Sequence, residues 1–495
     1  MIALTTTADS VSTIVADIAS QLRWIDAVEF RIDLLSANER ANLERLPSLC
    51  RSAAGGKAVA TIATVRRRGD GGAFDGSEPE RIALLARAAG AGFDYIDVEA
   101  DLSPADTVRG VLDAAARGAT TAIRSFHDFD GVPGDLVERM RSVSASGPCV
   151  TKAAVTPRTT ADLCRIVQAA DELSGSPKIV IGMGPHGFPT RVLPARLGNT
   201  FTFCSIPGSS AAPGHISPQE MHDRYRASQQ RAGWPIFAVI GDPIGHSRSP
   251  EYHNARFIED EVPAVYVPVL VDDVDDWFDL ASRLGVFGFS VTIPHKESVL
   301  ARLGEAADED ARGAGACNTV VRDAAGWIGT NTDTVGFLAP LDEVWRADLA
   351  GVRVLVAGAG GAARGVVYAL ARRGCSVYVW NRTADRAERL VHDLHPHVPD
   401  GSVAAVSGEQ ARSVAASIGI VVNATSVGMH GEGDPLDWYS FTGREVVYDI
   451  VYTPPETPVI ERAAARGCRV VTGDRMFAAQ AAAQYELYRA LAARA

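Results

Sequence analysis

A lysine inside an apolar run is the first residue whose chemistry demands an account. Lys152 sits in the stretch Cys149–Val155, CVTKAAV, which reads as a strand. Lysine is rarely buried without a task, because taking its charge out of water is costly. A buried amine suits imine formation with a ketone. Its ordinary pKa of ~10.4 must fall by roughly 3 units, or about 4 kcal/mol, to give a useful neutral amine near pH 7. Burial and neighbouring positive charge would supply that, with Arg31 and Arg66 as candidate neighbours. Other charges share the faces of strand-like runs. Glu29, Arg31 and Asp33 lie opposite Val28, Phe30 and Ile32, Asp97 and Glu99 lie opposite Ile96 and Val98, and His127 ends a further run. Singly, Asp33 or Asp97 fits a capped or paired structural charge equally well. Recurring on several strands, inward charges point to a wet, polar site.

A second constellation lies in the other half of the chain. Residues 352–383 read as strand, glycine turn, helix and second strand, the turn being Gly358-x-Gly360-Gly361-Ala362-Ala363. Glycines there let backbone approach a pyrophosphate at a helix N-terminus. The second strand ends in Asn381-Arg382-Thr383, where a carboxylate would otherwise hold the ribose hydroxyls. Arg382, helped by Arg386, favours a 2′-phosphate and hence NADP over NAD, unless the two arginines are merely solvated. Upstream, Lys296 follows Thr292-Ile-Pro-His and Asp333 ends Thr330-Asn-Thr-Asp. Such a pair can pass a proton to a reacting oxygen, and an ordinary surface ion pair is the plainer reading of the same spacing.

The elements that must position these groups come in two series. Eight candidate strands alternate with amphipathic stretches such as Glu80–Ala91 and Thr160–Leu173 over the first ~205 residues, the pattern of a (β/α)8 barrel. An open doubly wound sheet would alternate too, and the count of eight decides for the barrel. A capping box at Ser217–Glu220 starts a polar helix expected to run to about Arg231, where Gly233-Trp-Pro breaks it. The expected division is a barrel over 1–216, a linker helix over 217–234, a small α/β substrate domain over 235–340 completed by a C-terminal helix at 474–495, and a Rossmann domain over 341–473. The fold class is therefore α/β: a barrel, then a two-lobed α/β module.

These motifs carry a resemblance to known families. VEFRID, TVRRRGDGGAFDG, YIDVE, SFHDF, VTKAAV and FPTR, in order, resemble type I 3-dehydroquinate dehydratase across almost all of the first domain. The resemblance implies that Lys152 forms an imine with the substrate ketone. His127 then removes the adjacent proton and later protonates the departing hydroxyl, Glu99 orients His127, and Glu29, Arg31, Arg66 and Arg191 hold the substrate. The family's mobile loop usually reads Ser-Ala-Pro-Gly-Gln, whereas this chain has Ala211-Ala-Pro-Gly-His215. A retuned substrate site, with His215 in it, is expected. From about Pro235 onward, GDPIGHSRSPEYHN, GFSVTIPHKE, GAGACNTVV, GTNTDTVGF, NATSVGM, YDIVYTP and GDRMFAAQ resemble shikimate dehydrogenase. By that resemblance Ser247 and Ser249 bind a carboxylate, Thr292, Asn318 and Gln480 bind hydroxyls, and Lys296 with Asp333 is the catalytic pair. Tyr452 lines the cleft. Thr425, Ser426, Met429, Gly473 and Met476 lie on the cofactor side, the two methionines fitting core filler equally.

Together these imply dehydration of 3-dehydroquinate to 3-dehydroshikimate and its NADPH-dependent reduction to shikimate. The alternatives are a dehydrogenase with a decayed barrel, a quinate specificity, or a non-catalytic regulatory relative. A regulator should lose Lys152, His127, Lys296 or Asp333, and all four are present. The net charge of −12 disfavours nucleic acid and anionic lipid as partners. Seven scattered cysteines with no CxxC pair suit reduced thiols and no zinc, so metal is expected to be absent. With no leader-like start and no long apolar run, the expected location is the cytoplasm.

Overall fold

In the computed structural model, all residues are described except 103–104, 146, 210–213, 430 and 495, and the side chains of 105–108. By internal contact the chain forms two units, Met1–Ile236 with Pro263–Val286, and Phe237–Val262 with Phe287–Ala495.

Eight strands lie between Ile2 and Cys204: β1 Ile2–Thr6, β2 Ala27–Arg31, β3 Ala60–Thr64, β4 Tyr95–Glu99, β5 Thr121–Asp128, β6 Val150–Val155, β7 Lys178–Gly182 and β8 Thr202–Cys204. They form one sheet in the order β7-β6-β5-β4-β3-β2-β1-β8, every pair parallel. Between β7 and β8 the seam is closed by a backbone bridge between Lys178 and Asn199 and by the Asn199 side chain. Asn199 accepts from Val180 N at 2.9 Å and donates to Val180 O at 3.0 Å, standing in for a ladder pair. Sequence signals start the helices between strands, as where Ser77 and Glu80 form a capping box ahead of Glu78–Gly90. Ile62, Ile123, Ile179, Ile181, Phe201 and Phe203 share one buried apolar cluster. Polar side chains gather toward the C-terminal strand ends, the face where such barrels carry their sites.

The helix expected from 217 to about 231 is a single π-helical turn, Glu220–Arg224. Arg226 takes a φ of +50°, which no right-handed helix continues through, and Met221, Tyr225 and Ala227 are buried. This segment is packed chain rather than a free linker helix.

Eleven further strands follow. β9 Ile236–Gly241, β10 Val265–Leu270, β11 Val286–Val291, β12 Thr319–Arg322 and β13 Trp327–Thr330 form a sheet in the order β10-β9-β11-β12-β13, with β11, β12 and β13 antiparallel in turn. β14 Arg353–Ala357, β15 Ser376–Trp380, β16 Val403–Ala405, β17 Ile420–Asn423, β18 Val446–Asp449 and β19 Arg469–Val471 form a parallel sheet in the order β16-β15-β14-β17-β18-β19. Counted from β14 that order is 3-2-1-4-5-6, the dinucleotide-binding arrangement, whose chain reversal between β14 and β17 opens a crevice at the strand ends. The terminal helix Gly473–Ala492 packs against the helix Asp333–Trp345. Gln484, fully buried, donates to Thr319 Oγ1 at 2.8 Å and accepts from Ser290 Oγ at 2.9 Å, pinning that helix to β11 and β12.

Candidate active sites

At the mouth of the barrel the strand period brings the inward charges onto one cavity of about 220 Å³, lined by Glu29, Arg31, Arg66, His127, Lys152, Arg191 and His215 among others. The Lys152 ammonium donates to Asp97 Oδ2 at 2.9 Å, lies 3.9 Å from Glu29 Oε1, and sits 4.4 Å over the Phe203 ring. Its nearest charged partners are thus carboxylates, not the guanidiniums expected from the sequence. Arg31 is instead clamped by Asp33 through bonds of 2.9 and 2.7 Å. Arg66 bridges Asp97 at 2.9 Å and Glu99 at 3.1 Å, and donates to Ser125 at 3.0 Å. Burial disfavours the Asp97 carboxylate, yet the Arg66 and Lys152 cations hold its pKa well below the usual range. Asp97 is the lysine's partner, and sequence reading did not give it that role.

Glu99 does not reach His127. Its two oxygens accept from Arg66 at 3.1 Å and from the fully buried Arg81 at 2.6 Å, so the expected carboxylate–imidazole contact is replaced by an arginine pair. His127 leaves Nδ1 without a hydrogen bond and stacks on Phe129 with ring centroids 6.3 Å apart. Burial, then the Arg66 and Lys152 charges, push its pKa well below the ordinary value, so the imidazole is neutral and able to accept a proton. Glu29 accepts from Thr5 and Thr64 hydroxyls, each at 2.8 Å. Buried Arg191 is lowered to about 10 by burial. His215, beside Arg191, Lys152 and Arg31, is lowered to about 2, burial being the largest cause. Ala211 lies outside the described residues.

In the second unit Lys296 and Asp333 form a 2.5 Å ion pair. Asn318 donates to the other Asp333 oxygen at 2.8 Å and to Thr332 Oγ1 at 3.1 Å. The pair lies beside the glycine turn: a Cβ on Gly361 would stand 3.3 Å from Lys296 Cβ, and one on Gly365 would stand 3.5 Å from Asp333 Cβ. Gln480 belongs to the same neighbourhood, since a Cβ on Gly336 would meet Gln480 Cβ at 2.4 Å. Ser247 and Ser249 adjoin, with Ser249 N donating to Ser247 Oγ at 3.3 Å. Thr292 N donates to Ile240 O at 2.9 Å, placing that turn against the end of β9. Tyr452 packs on Phe477, centroids 5.2 Å apart. No contact ties Ser247, Ser249, Thr292 or Tyr452 directly to Lys296 among the described residues.

A dinucleotide fits the turn after β14. Gly358 has a φ of +117°, and a Cβ there would lie 2.6 Å from Ala424 O, so only glycine is accommodated. Gly360 precedes the helix Gly361–Arg372, which no side chain caps, leaving first-turn N–H groups for an anion, with Ala362 in that first turn. Asn381 Nδ2 donates to Thr383 O at 2.8 Å and shapes the turn after β15, where Arg382 and Arg386 are exposed and form no ion pair with a described residue. Thr425 borders Gly358, Ser426 is exposed, and Met429 is 37% exposed. Met476 is not on this surface. It is buried in the apolar cluster that contains Val356, Tyr448 and Val471, which makes it core filler. Gly473 begins the terminal helix, where a Cβ would meet Val451 O at 2.4 Å, a close-packing role. Among the described residues no group of His, Cys, Asp and Glu is placed to hold a metal ion, and no helix is long and apolar enough to cross a membrane.

A barrel with a lysine and a neutral imidazole in one cavity, followed by a Rossmann unit with a lysine–aspartate pair at its glycine turn, defines a two-site enzyme. Type I 3-dehydroquinase matches residues 2–232, the shikimate dehydrogenase substrate binding domain matches 239–320, and the shikimate / quinate 5-dehydrogenase family matches 342–429. The chloroplastic bifunctional 3-dehydroquinate dehydratase/shikimate dehydrogenase of Arabidopsis thaliana is 30% identical over 94% of this chain and 78% of that protein. The NADP(+) shikimate dehydrogenase of Salinibacter ruber is 42% identical over 50% of this chain and 90% of that protein. The solved dehydroquinate dehydratase and shikimate dehydrogenase of S. pombe is 24% identical, covers 99% of this chain and 97% of its own, and superposes with a TM-score of 0.43. The chain belongs to the family of bifunctional 3-dehydroquinate dehydratase/shikimate dehydrogenases.

Proposed function

We propose that the barrel dehydrates 3-dehydroquinate to 3-dehydroshikimate and that the second unit reduces this product to shikimate. The observation that carries the reading is the sharing of one cavity by the Lys152 amine and the neutral His127 imidazole. In the barrel, the ketone displaces the Asp97 hydrogen bond and meets Lys152. Lys152 passes a proton to the neutral His127, the free amine adds to the carbonyl carbon, and His127 returns that proton to the carbinolamine hydroxyl, which leaves as water; the resulting protonated imine acidifies the adjacent carbon. His127 takes a proton from that carbon, then returns it to the departing hydroxyl, and water releases the lysine. Arg31, Arg66, Arg191 and Glu29 hold carboxylate and hydroxyls, and His215 offers a neutral ring where it lines the cavity. Glu99 acts by holding Arg66.

In the second unit NADPH, when bound, supplies the hydride. Lys296, held by Asp333, gives a proton to the reacting carbonyl oxygen, and Asn318 holds Asp333 in place. Ser247 and Ser249 bind the carboxylate, with Thr292, Gln480 and Tyr452 lining the cleft. Gly358, Gly360, Gly361 and Ala362 take the pyrophosphate, Asn381, Arg382, Thr383 and Arg386 take the adenosine 2′-phosphate side, and Thr425, Ser426 and Met429 border the nicotinamide side. The seven free thiols support a cytoplasmic location.

Borohydride tests the imine. Reducing the protein in the presence of 3-dehydroquinate should leave a stable adduct on Lys152, located by mass spectrometry of peptides. A protein that reduces 3-dehydroshikimate but carries no adduct would have a decayed barrel.

A further inference from the structure

One buried carboxylate of the nucleotide unit is left unused by either site. Asp449 ends β18 with no exposed surface, and three donors converge on it. Thr457 Oγ1 reaches Oδ2 at 2.6 Å, while Asn423 Nδ2 and Val451 N each reach Oδ1 at 2.9 Å. Asn423 ends β17, directly opposite Asp449 in register, and is equally buried. A carboxylate only accepts, so the Asn423 amide nitrogen must face it and the amide oxygen must face away. There that oxygen accepts from Thr425 N at 3.0 Å and Thr425 Oγ1 at 2.7 Å. Thr425 Oγ1 in turn accepts from Val427 N at 3.1 Å. This loop closes on the glycine turn, where a Cβ on Gly358 would lie 2.6 Å from Ala424 O and 3.2 Å from Thr425 Cγ2.

We propose that Asp449 is a positioning residue for dinucleotide binding: it fixes the Asn423 amide, and through it the loop that forms one wall of the glycine turn. The proposal rests on reading that turn as the NADPH site. A merely structural Asp449 would instead serve the helix Pro458–Ala465 through Thr457, the residue that precedes it.

The two roles separate when NADPH affinity and thermal melting are measured side by side on the full chain. Asn423→Asp keeps an acceptor for Thr425 but sets two carboxylates against each other, and should weaken NADPH about tenfold or more. Adding Asp449→Asn removes the facing charge, but the Oδ1 position also accepts from Val451 N and Asn423 also donates to Val427 O, so affinity should recover only in part relative to the single change. Thr457→Val should lower Tm and leave NADPH affinity unchanged. Should Asn423→Asp fail to fold, Asp449→Asn alone carries the test, because it leaves every residue of the loop in place and disturbs only the acceptor that orients the Asn423 amide; it should weaken NADPH in the same direction. Native affinity in Asn423→Asp or in Asp449→Asn overturns the proposal. So does an exchanged pair no better than the single change, or an affinity loss in Thr457→Val matching its loss of Tm. A native chain that binds no NADPH overturns the cofactor reading and this proposal together, whereas normal native binding with indifferent variants overturns the proposal alone.

Discussion

Lys152 and His127 share one cavity. The lysine is held by Asp97 and Glu29, while burial and the Arg66 and Lys152 charges keep the imidazole neutral. A general base must be unprotonated, so activity falls on the acid side only as pH drops through its pKa. Because that pKa is depressed, the acid limb attributable to His127 in the dehydratase kcat/KM profile should lie below the ~6.5 of ordinary histidine. A limb at or above that value that vanishes in His127→Gln would contradict the assignment. At this scale the shared faces of Glu29 with Arg31 and of Asp97 with Glu99 were legible in the alternation of single strands, and Lys152 stood out as a lysine inside an apolar run. Their pairings were not. Which carboxylate meets Lys152, and that Arg81 from the helix Glu78–Gly90 takes one Glu99 oxygen, depend on side chains meeting across the barrel, which period two does not encode.

Among the elements, the turn after β14 was read best, because glycine spacing reports directly on backbone that no other residue fits. The turn after β15 complements it with exposed Arg382. Arg382→Ala should raise the KM for NADPH roughly tenfold or more, the scale of a lost charge-assisted hydrogen bond, while leaving NADH turnover unchanged. Equal losses with both cofactors would remove Arg382 from 2′-phosphate recognition. The barrel seam shows what alternation leaves unsaid. β8 spans three residues of the longer apolar run, and Asn199 completes its junction with β7. Asn199→Ala should cost about 1–3 kcal/mol, seen as an earlier urea transition of the barrel with loss of dehydratase activity. An unshifted transition would show that the seam needs no side chain. The stretch 217–231 was misread as one helix, because its polar composition hid the buried Met221 and Tyr225 and the turn at Arg226. Met476, fitting core and cofactor equally by sequence, packs in the apolar cluster with Val356, Tyr448 and Val471.

For the whole molecule, Lys152 belongs to the cavity of the eight-stranded barrel and Lys296 lies beside the glycine turn of the six-stranded sheet. The order of the motifs separates the eight-strand series from the glycine turn, but the grouping of Pro263–Val286 with the first unit, rather than with the substrate domain expected over 235–340, was not legible in it. The product of one proposed reaction is the substrate of the next, so this single chain should carry 3-dehydroquinate through both steps. The direct measurement supplies 3-dehydroquinate and NADPH to the purified chain and follows absorbance at the nicotinamide band. One NADPH should be consumed per 3-dehydroquinate, with shikimate as product, and Lys152→Ala should abolish consumption from 3-dehydroquinate while sparing it from 3-dehydroshikimate. Consumption from 3-dehydroshikimate but none from 3-dehydroquinate in the native chain would contradict the account.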